Sequence, residues 1–275
     1  MIIDAEEDMK LVMRRRSILN LSGRWVMAMV LVALWTPWTA WAGDLTIAAA
    51  SDLNFAFKEL VGEYEKKTGE RVKLTLGSSG NFFSQIQNGA PFDLYFSADI
   101  AYPKKLEEAG LTVPGSLYKY AVGRIVVWTP SGSALPVENR GIEVLLDPSV
   151  KKIAIANPKH APYGRAAVSA MDHFKLHERV KDKLVLGENI SQTAQFIESG
   201  ASDVGIIALS LALAPAMKAN GKYWEIPADA HPPLEQGAVI LKSSSNQDRA
   251  KSFLEFLKGP EGRTIMTRYG FTLPS

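Results

Sequence analysis

The sequence predicts a two-lobed α/β protein. Each lobe is a doubly wound, mainly parallel sheet flanked by helices, with the ligand in the cleft between them. Three observations lead there. From Leu45 onward, short apolar runs alternate with stretches of helical periodicity, the pattern of parallel sheets covered by helices. Twice, at Ala48-Ala49-Ala50-Ser51 and at Gly77-Ser78-Ser79-Gly80, a strand breaks at small residues and a serine stands where a helix begins. The alternation then restarts after a long apolar strand at Ala121 to Trp128, and a second such strand at Glu235 to Leu241 leads back.

Leu45 to Ala50 is the first strand, and Leu53, Phe57, Leu60, Val61 and Tyr64 then recur at helical spacing up to Gly69, a residue suited to stop a helix. Val72 to Leu76 is a strand, Asn81 to Ile86 a helix, Asp93 to Ser97 a strand, and a helix runs through Leu106 to Gly110. Beyond Trp128, Pro130-Ser131-Gly132-Ser133 forms a turn. A short helix at Ile142 to Leu146, a strand at Lys152 to Ala156 and a helix at Gly164 to Leu176 follow. Then come a strand at Lys183 to Leu186, a helix at Ile190 to Gly200, a strand at Val204 to Leu209 and, after the second long strand, a helix at Gln247 to Lys258. The strands near Val122 and Gly237 read as crossings between lobes. Lobe 1 is then residues 43–121 plus 237–275, and lobe 2 residues 122–236.

Residues 1–42 read as a signal peptide. Arg14-Arg15-Arg16 supply the charge, Trp25 to Trp35 the apolar stretch, and Thr39-Ala40-Trp41-Ala42 the small-residue cleavage site near Ala42. The apolar stretch is short for a membrane span, so export to the periplasm is expected. Arg15-Arg16-Ser17-Ile18-Leu19 also has a twin-arginine look, and Met13 is a candidate start. Removing residues 1–42 takes five of 31 basic and four of 29 acidic residues and leaves a net charge of +1. No basic field for nucleic acid remains. The sequence has no cysteine, so disulfides and thiolate metal sites are excluded and core burial alone must hold the fold.

The two serine motifs carry the chemistry. First-turn N–H groups of a helix have no intrahelical acceptor and sit at the positive end of the macrodipole, so a helix start is a half-site for an anion. Ser51 and the Ser78-Ser79 pair each mark such a start, either as a ligand contact or only as a cap. Two further turns point at the same cleft. Asn157-Pro158-Lys159-His160-Ala161-Pro162-Tyr163-Gly164 presents the Tyr163 phenol at a proline-stiffened helix start, and Glu188-Asn189-Ile190-Ser191 offers the Ile190 N–H. A surface tyrosine and a core isoleucine are the competing readings.

His173 and His177, with Glu178, have an i,i+4 spacing that zinc can use, yet the glutamate a zincin needs after its first histidine is here Phe174. A solvated helix face is the reading taken. A serine hydrolase would need a G-x-S-x-G elbow or a histidine near a serine motif. The sequence has no such elbow, and His160, the only histidine near the cleft, is expected to be exposed.

With these residues in view the chain resembles the periplasmic molybdate-binding proteins of ABC importers. The resemblance rests on Ala48-Ala49-Ala50-Ser51, Gly77-Ser78-Ser79-Gly80, Gly89-Ala90-Pro91-Phe92-Asp93-Leu94, Ser97-Ala98-Asp99, Asn157-Pro158 with Ala161-Pro162-Tyr163-Gly164, Val204-Gly205-Ile206, and Leu257-Lys258-Gly259-Pro260 with Arg268-Tyr269-Gly270-Phe271. It runs from Leu45 to Thr272. It implies capture of molybdate or tungstate and delivery to a membrane permease, by a monomer with no catalytic residue, no cofactor, no metal cation and no nucleic-acid partner. The oxyanion ligands it implies are Ser51, Ser79, Tyr163 and the backbone of Ile190. Some members of that family carry a tyrosine in the later Gly-Ile strand; Ala208 stands there, which leaves Tyr163 as the phenol.

A tetrahedral dianion offers only acceptors, and hydroxyls and helix-end N–H groups supply donors, each charge-assisted bond worth about 1.5–3 kcal/mol. A shell made only of donors penalises phosphate, which keeps a proton near neutral pH. Asp52, next to Ser51, would repel an anion and is expected to turn outward as a first-turn helix charge. A receptor for sulfate or another tetrahedral oxyanion remains open within the binding class, and a secreted serine hydrolase outside it.

Overall fold

The described residues of this computed structural model are 43–274; the expected signal peptide lies outside them. Ten strands follow in order: β1 (Leu45–Ala50), β2 (Val72–Gly77), β3 (Leu94–Ser97), β4 (Tyr118–Gly123), β5 (Ile125–Pro130), β6 (Ile153–Ala156), β7 (Leu184–Gly187), β8 (Val204–Ala208), β9 (Gly221–Glu225) and β10 (Leu234–Ile240). They form two five-stranded sheets, ordered β2-β1-β3-β10-β4 and β7-β6-β8-β5-β9. The interior strands β3, β6 and β8 are buried along their whole length, as strands covered on both faces must be.

In the first sheet β1 pairs in parallel with β2 and β3, and β10 runs antiparallel to both β3 and β4. The second sheet repeats the device: β6 is parallel to β7 and β8, and β5 runs antiparallel to β8 and β9. Each sheet is thus mainly parallel with one reversed strand. In both cases the reversed strand is the one by which the chain enters from the other sheet.

Two expectations are corrected. The long strand Ala121 to Trp128 is two strands, β4 and β5, because their hydrogen-bond partners lie in different sheets and Arg124 stands between them. The segment Ile142 to Leu146 is a 3₁₀ turn. Strand β9 had no counterpart in the sequence reading.

The first sheet's core is aromatic. Phe57 meets Phe96 edge-on at 4.8 Å, and Tyr64 meets Phe253 at 5.1 Å, offset geometries favoured by ring quadrupoles. Phe253 belongs to the helix Gln247–Lys258, which with Pro260–Arg268 packs into this cluster. The helix Asn54–Thr68 ends at Gly69, whose φ of 72° and N–H bond to the Glu65 carbonyl make the left-handed cap. In the second sheet Trp128 fills the core, and its ring lies against Gly221, where a Cβ would come within 2.0 Å of it.

Four strands of these sheets release the chain into helices at their carboxyl ends. β1 leads to Ser51, β2 to Ser79, β6 to the turn before the helix Pro162–His173, and β7 to the helix Ile190–Glu198. Carboxyl ends of parallel strands are where α/β sheets bind ligands.

Candidate functional site

All four residues expected at the site meet at one pocket. Ser51, Ser79, Tyr163 and Ile190 line one tight cavity of about 10 Å³, together with Asp52, Ser78 and Pro162. A single water needs roughly 10–15 Å³, so the walls stand closed to about the width of a water and must part to admit an ion of a few atoms.

Local folding places each residue, not always as expected. Ser51 opens a single 3₁₀ turn, Ser51–Leu53, and caps nothing. Its Oγ instead donates to Asn189 Oδ1 at 3.0 Å and accepts from the Ser191 N–H at 3.2 Å, while Ser191 Oγ donates to the Ser51 carbonyl at 2.8 Å. Ser51 therefore ties the start of the first sheet's helix layer to the helix Ile190–Glu198. At the second motif the cap is Ser78, whose Oγ accepts from the Asn81 N–H at 3.4 Å. Ser79 is the first residue of the helix Ser79–Gln87; its Oγ accepts from the Ala98 N–H at 2.9 Å, which leaves the hydroxyl proton to donate. Ile190 opens its own helix behind the cap Asn189, whose side chain accepts from the Gln192 N–H.

The expectation for Asp52 is overturned. It is 1 % exposed and lines the pocket. The reason is the 3₁₀ turn: the helix begins only at Asn54, so Asp52 is not in its first turn and faces inward. Its Oδ2 accepts from Tyr163 Oη at 3.0 Å and from Gln236 Nε2 at 2.7 Å, and Gln236 Nε2 also lies 3.0 Å from Tyr163 Oη as donor. Asp52 Oδ1 and Gln236 Oε1 have no partner. Burial pushes the Asp52 carboxyl up to about 7 against the pull of its Gln236 and Tyr163 bonds. Burial, reinforced by the Asp52 charge, drives the Tyr163 and Tyr120 phenols well above their ordinary value, so both stay neutral. The shell is not made of donors alone: a carboxyl group stands inside it.

Gln236 escaped the sequence reading. The signal was an amide between Glu235 and the apolar end of the strand; it is fully buried, and the register shifts between Gln236 and Gly237 as at a β-bulge. Gly123, at the end of β4, makes room for the cluster. A Cβ there would lie 2.3 Å from Tyr163 Oη and 2.7 Å from Gln236 Nε2. Gly123→Ala is expected to displace the phenol and cost about 1–3 kcal/mol of stability through overpacking, read from urea unfolding. Stability equal to the wild type would mean the phenol has freedom that the packing denies it.

His160 was expected to be exposed, and it is not. Its side chain is 19 % exposed, Nδ1 lies 2.9 Å from Ser78 Oγ, and Nε2 lies 3.6 Å from Glu188 Oε2. The fold thus brings a histidine to a serine from 82 positions away, a contact that sequence adjacency could not reveal. That serine is engaged as a helix cap. His173 and His177 fall on different helices, Pro162–His173 and His177–Val180, and His177 Nδ1 faces Asp172 at 3.1 Å. Among the described residues no three His, Asp or Glu side chains group as metal ligands.

Two sheets between which the chain crosses twice, closing hydroxyls and helix starts on a small pocket, define a solute-binding protein. Residues 45–272 match the family model of bacterial extracellular solute-binding proteins, and the chain belongs to that family. It is 39 % identical over 236 residues to the molybdate-binding protein ModA of Azotobacter vinelandii, covering 85 % of this chain and 92 % of the relative. It is also 39 % identical to ModA of Rhodobacter capsulatus, with 84 % and 88 % covered. Among solved structures, the Azotobacter vinelandii periplasmic molybdate-binding protein superposes with a TM-score of 0.80 at 35 % identity, over 84 % of this chain and all of that one.

Proposed function

We propose that this protein binds molybdate or tungstate in the pocket between its two sheets and hands the ion to the membrane permease of an ABC importer. It does so as a periplasmic monomer freed of its leader, and it performs no chemistry on the ligand. One observation carries the reading. Ser51, Ser79, Tyr163 and Ile190, far apart in sequence, line a single small pocket at strand ends, and the relatives of similar length are named for molybdate.

The ligand bonds follow from the geometry. Ser79 Oγ donates its free proton, the first-turn N–H groups at Ile190 and Ser79 point their dipoles inward, and Ser51 turns its hydroxyl from Asn189 to the ion. No arginine or lysine is required, because burial in a low-dielectric site strengthens each of these donors.

Ser51→Ala and Ser79→Ala are each expected to weaken molybdate binding by about 1.5–3 kcal/mol, roughly ten- to a hundred-fold, in calorimetric titration. Unchanged affinity in both would remove the serines from the site. The same titration with sulfate, and an assay with an ester substrate, separates this reading from a sulfate receptor and from a hydrolase built on Ser78 and His160.

A further inference from the structure

We infer that Asp52 holds a proton whenever a dianionic oxyanion occupies the pocket, so that the ligand is taken up together with one proton. The inference rests on the oxyanion reading above and specifies how that site matches charge.

The geometry leaves little choice. Asp52 lines the pocket and is 1 % exposed. Its Oδ2 is already saturated by Tyr163 Oη and Gln236 Nε2, while Oδ1 has no hydrogen-bond partner in good geometry and feels only the weak pull of the adjacent Asp52 and Leu53 N–H groups. A dianion brings acceptors only. Two acceptors pressed together away from water repel, and neither finds a donor in the other. A proton on Oδ1 changes the sign of the contact: the carboxyl becomes a donor to the oxyanion, and the buried atom gains its missing partner. The proton comes from solvent, and no bond of the ligand is made or broken.

Nothing nearby could neutralise an ionised Asp52 instead. The helix Pro162–His173 presents the Tyr163 phenol, β4 the Tyr120 phenol, β10 the Gln236 amide, and the helix Leu209–Ala212 the Ser210 hydroxyl, which donates to the Asp52 carbonyl at 2.7 Å. The helix Ile190–Glu198 contributes Ile190 and Ser191, and the end of β2 contributes Gly77. None is a cation. His160 reaches the pocket's rim but faces Ser78 and Glu188. Burial already holds the carboxyl close to neutrality, at about 7, so the proton is available near physiological pH.

The test is molybdate titration by calorimetry in two buffers of different ionisation enthalpy, which counts protons. The wild type is expected to take up close to one proton per molybdate at about pH 8 and far less at about pH 6, with affinity falling roughly tenfold per pH unit above 7. Asp52→Asn, uncharged and of the same shape, is expected to take up none and to show an affinity flat from about pH 6 to pH 9; its melting curve reports that it has folded. Molybdate bound without proton uptake by the wild type, or uptake retained in Asp52→Asn, overturns this inference and leaves the oxyanion reading standing. Failure of every oxyanion to bind overturns both.

Discussion

Without ligand, the protein is expected to lose about 4 kcal/mol of folding stability between roughly pH 4 and pH 8 through Asp52 alone, and Asp52→Asn to be spared that loss. The ordinary aspartate value is 3.8, and burial raises the folded-state value to about 7. Between those limits the folded protein holds a proton that the unfolded chain releases, so stability falls as pH rises. Below about 3.8 both states are protonated and the cost vanishes; above 7 it is complete, and three units at 1.36 kcal/mol each give its order of magnitude. Asp93 works in the opposite direction. Burial opposes its charge, yet bonds from Thr46, Ser244 and Asn246 hold its carboxyl below the ordinary value, so its stabilisation is present above about 3.8 and lost on further acidification. Urea unfolding from well below pH 3.8 up to about pH 8 checks both. A wild-type curve that does not decline toward pH 8 relative to Asp52→Asn would show that Asp52 is hydrated rather than buried.

Molybdate is expected to add about 2.7 kcal/mol of stability at a hundred times its dissociation constant, since it binds only the folded state, and to raise the melting temperature by about 5–10 °C for a chain of this size. The pocket's walls come from both sheets, so only the closed arrangement offers all the ligand's bonds, and binding shifts the population toward closure. Contacts for that closure already exist in Ser51 with Asn189, the Gly80 N–H with the His160 carbonyl at 2.9 Å, and Asn81 with Glu188. Small-angle scattering is expected to record a smaller radius of gyration with molybdate. An unchanged radius despite confirmed binding would confine the site to one side.

The parts of this molecule that could be read from sequence are those set by local rules. Alternation of period and the glycine after Tyr64 gave the helix Asn54–Thr68 and its end, because a left-handed cap needs only its own residue. Ser51, Ser79, Tyr163 and Ile190 were legible as candidates because each stands where an apolar strand meets a helix, and strand ends on one side of a parallel sheet must gather. What stayed hidden depends on non-local geometry. Asp52 looks like a first-turn helix charge, and only the insertion of a 3₁₀ turn, which no periodicity marks over three residues, points it inward. Arg124 breaks a continuous apolar run by a change of hydrogen-bonding partner, which is invisible along the chain. His160 reaches Ser78 because two strand-to-helix turns from different sheets face each other.

The bond from Asn81 Nδ2 to Glu188 Oε1, 2.5 Å long, joins opposite banks of the pocket at its exposed rim. The sequence contains no cysteine, so thiols introduced at 81 and 188 would be the sole targets for a maleimide dye or a spin label. With one label on each bank, opening and capture become an optical or magnetic distance, and the protein becomes a readable gauge of its own ligand.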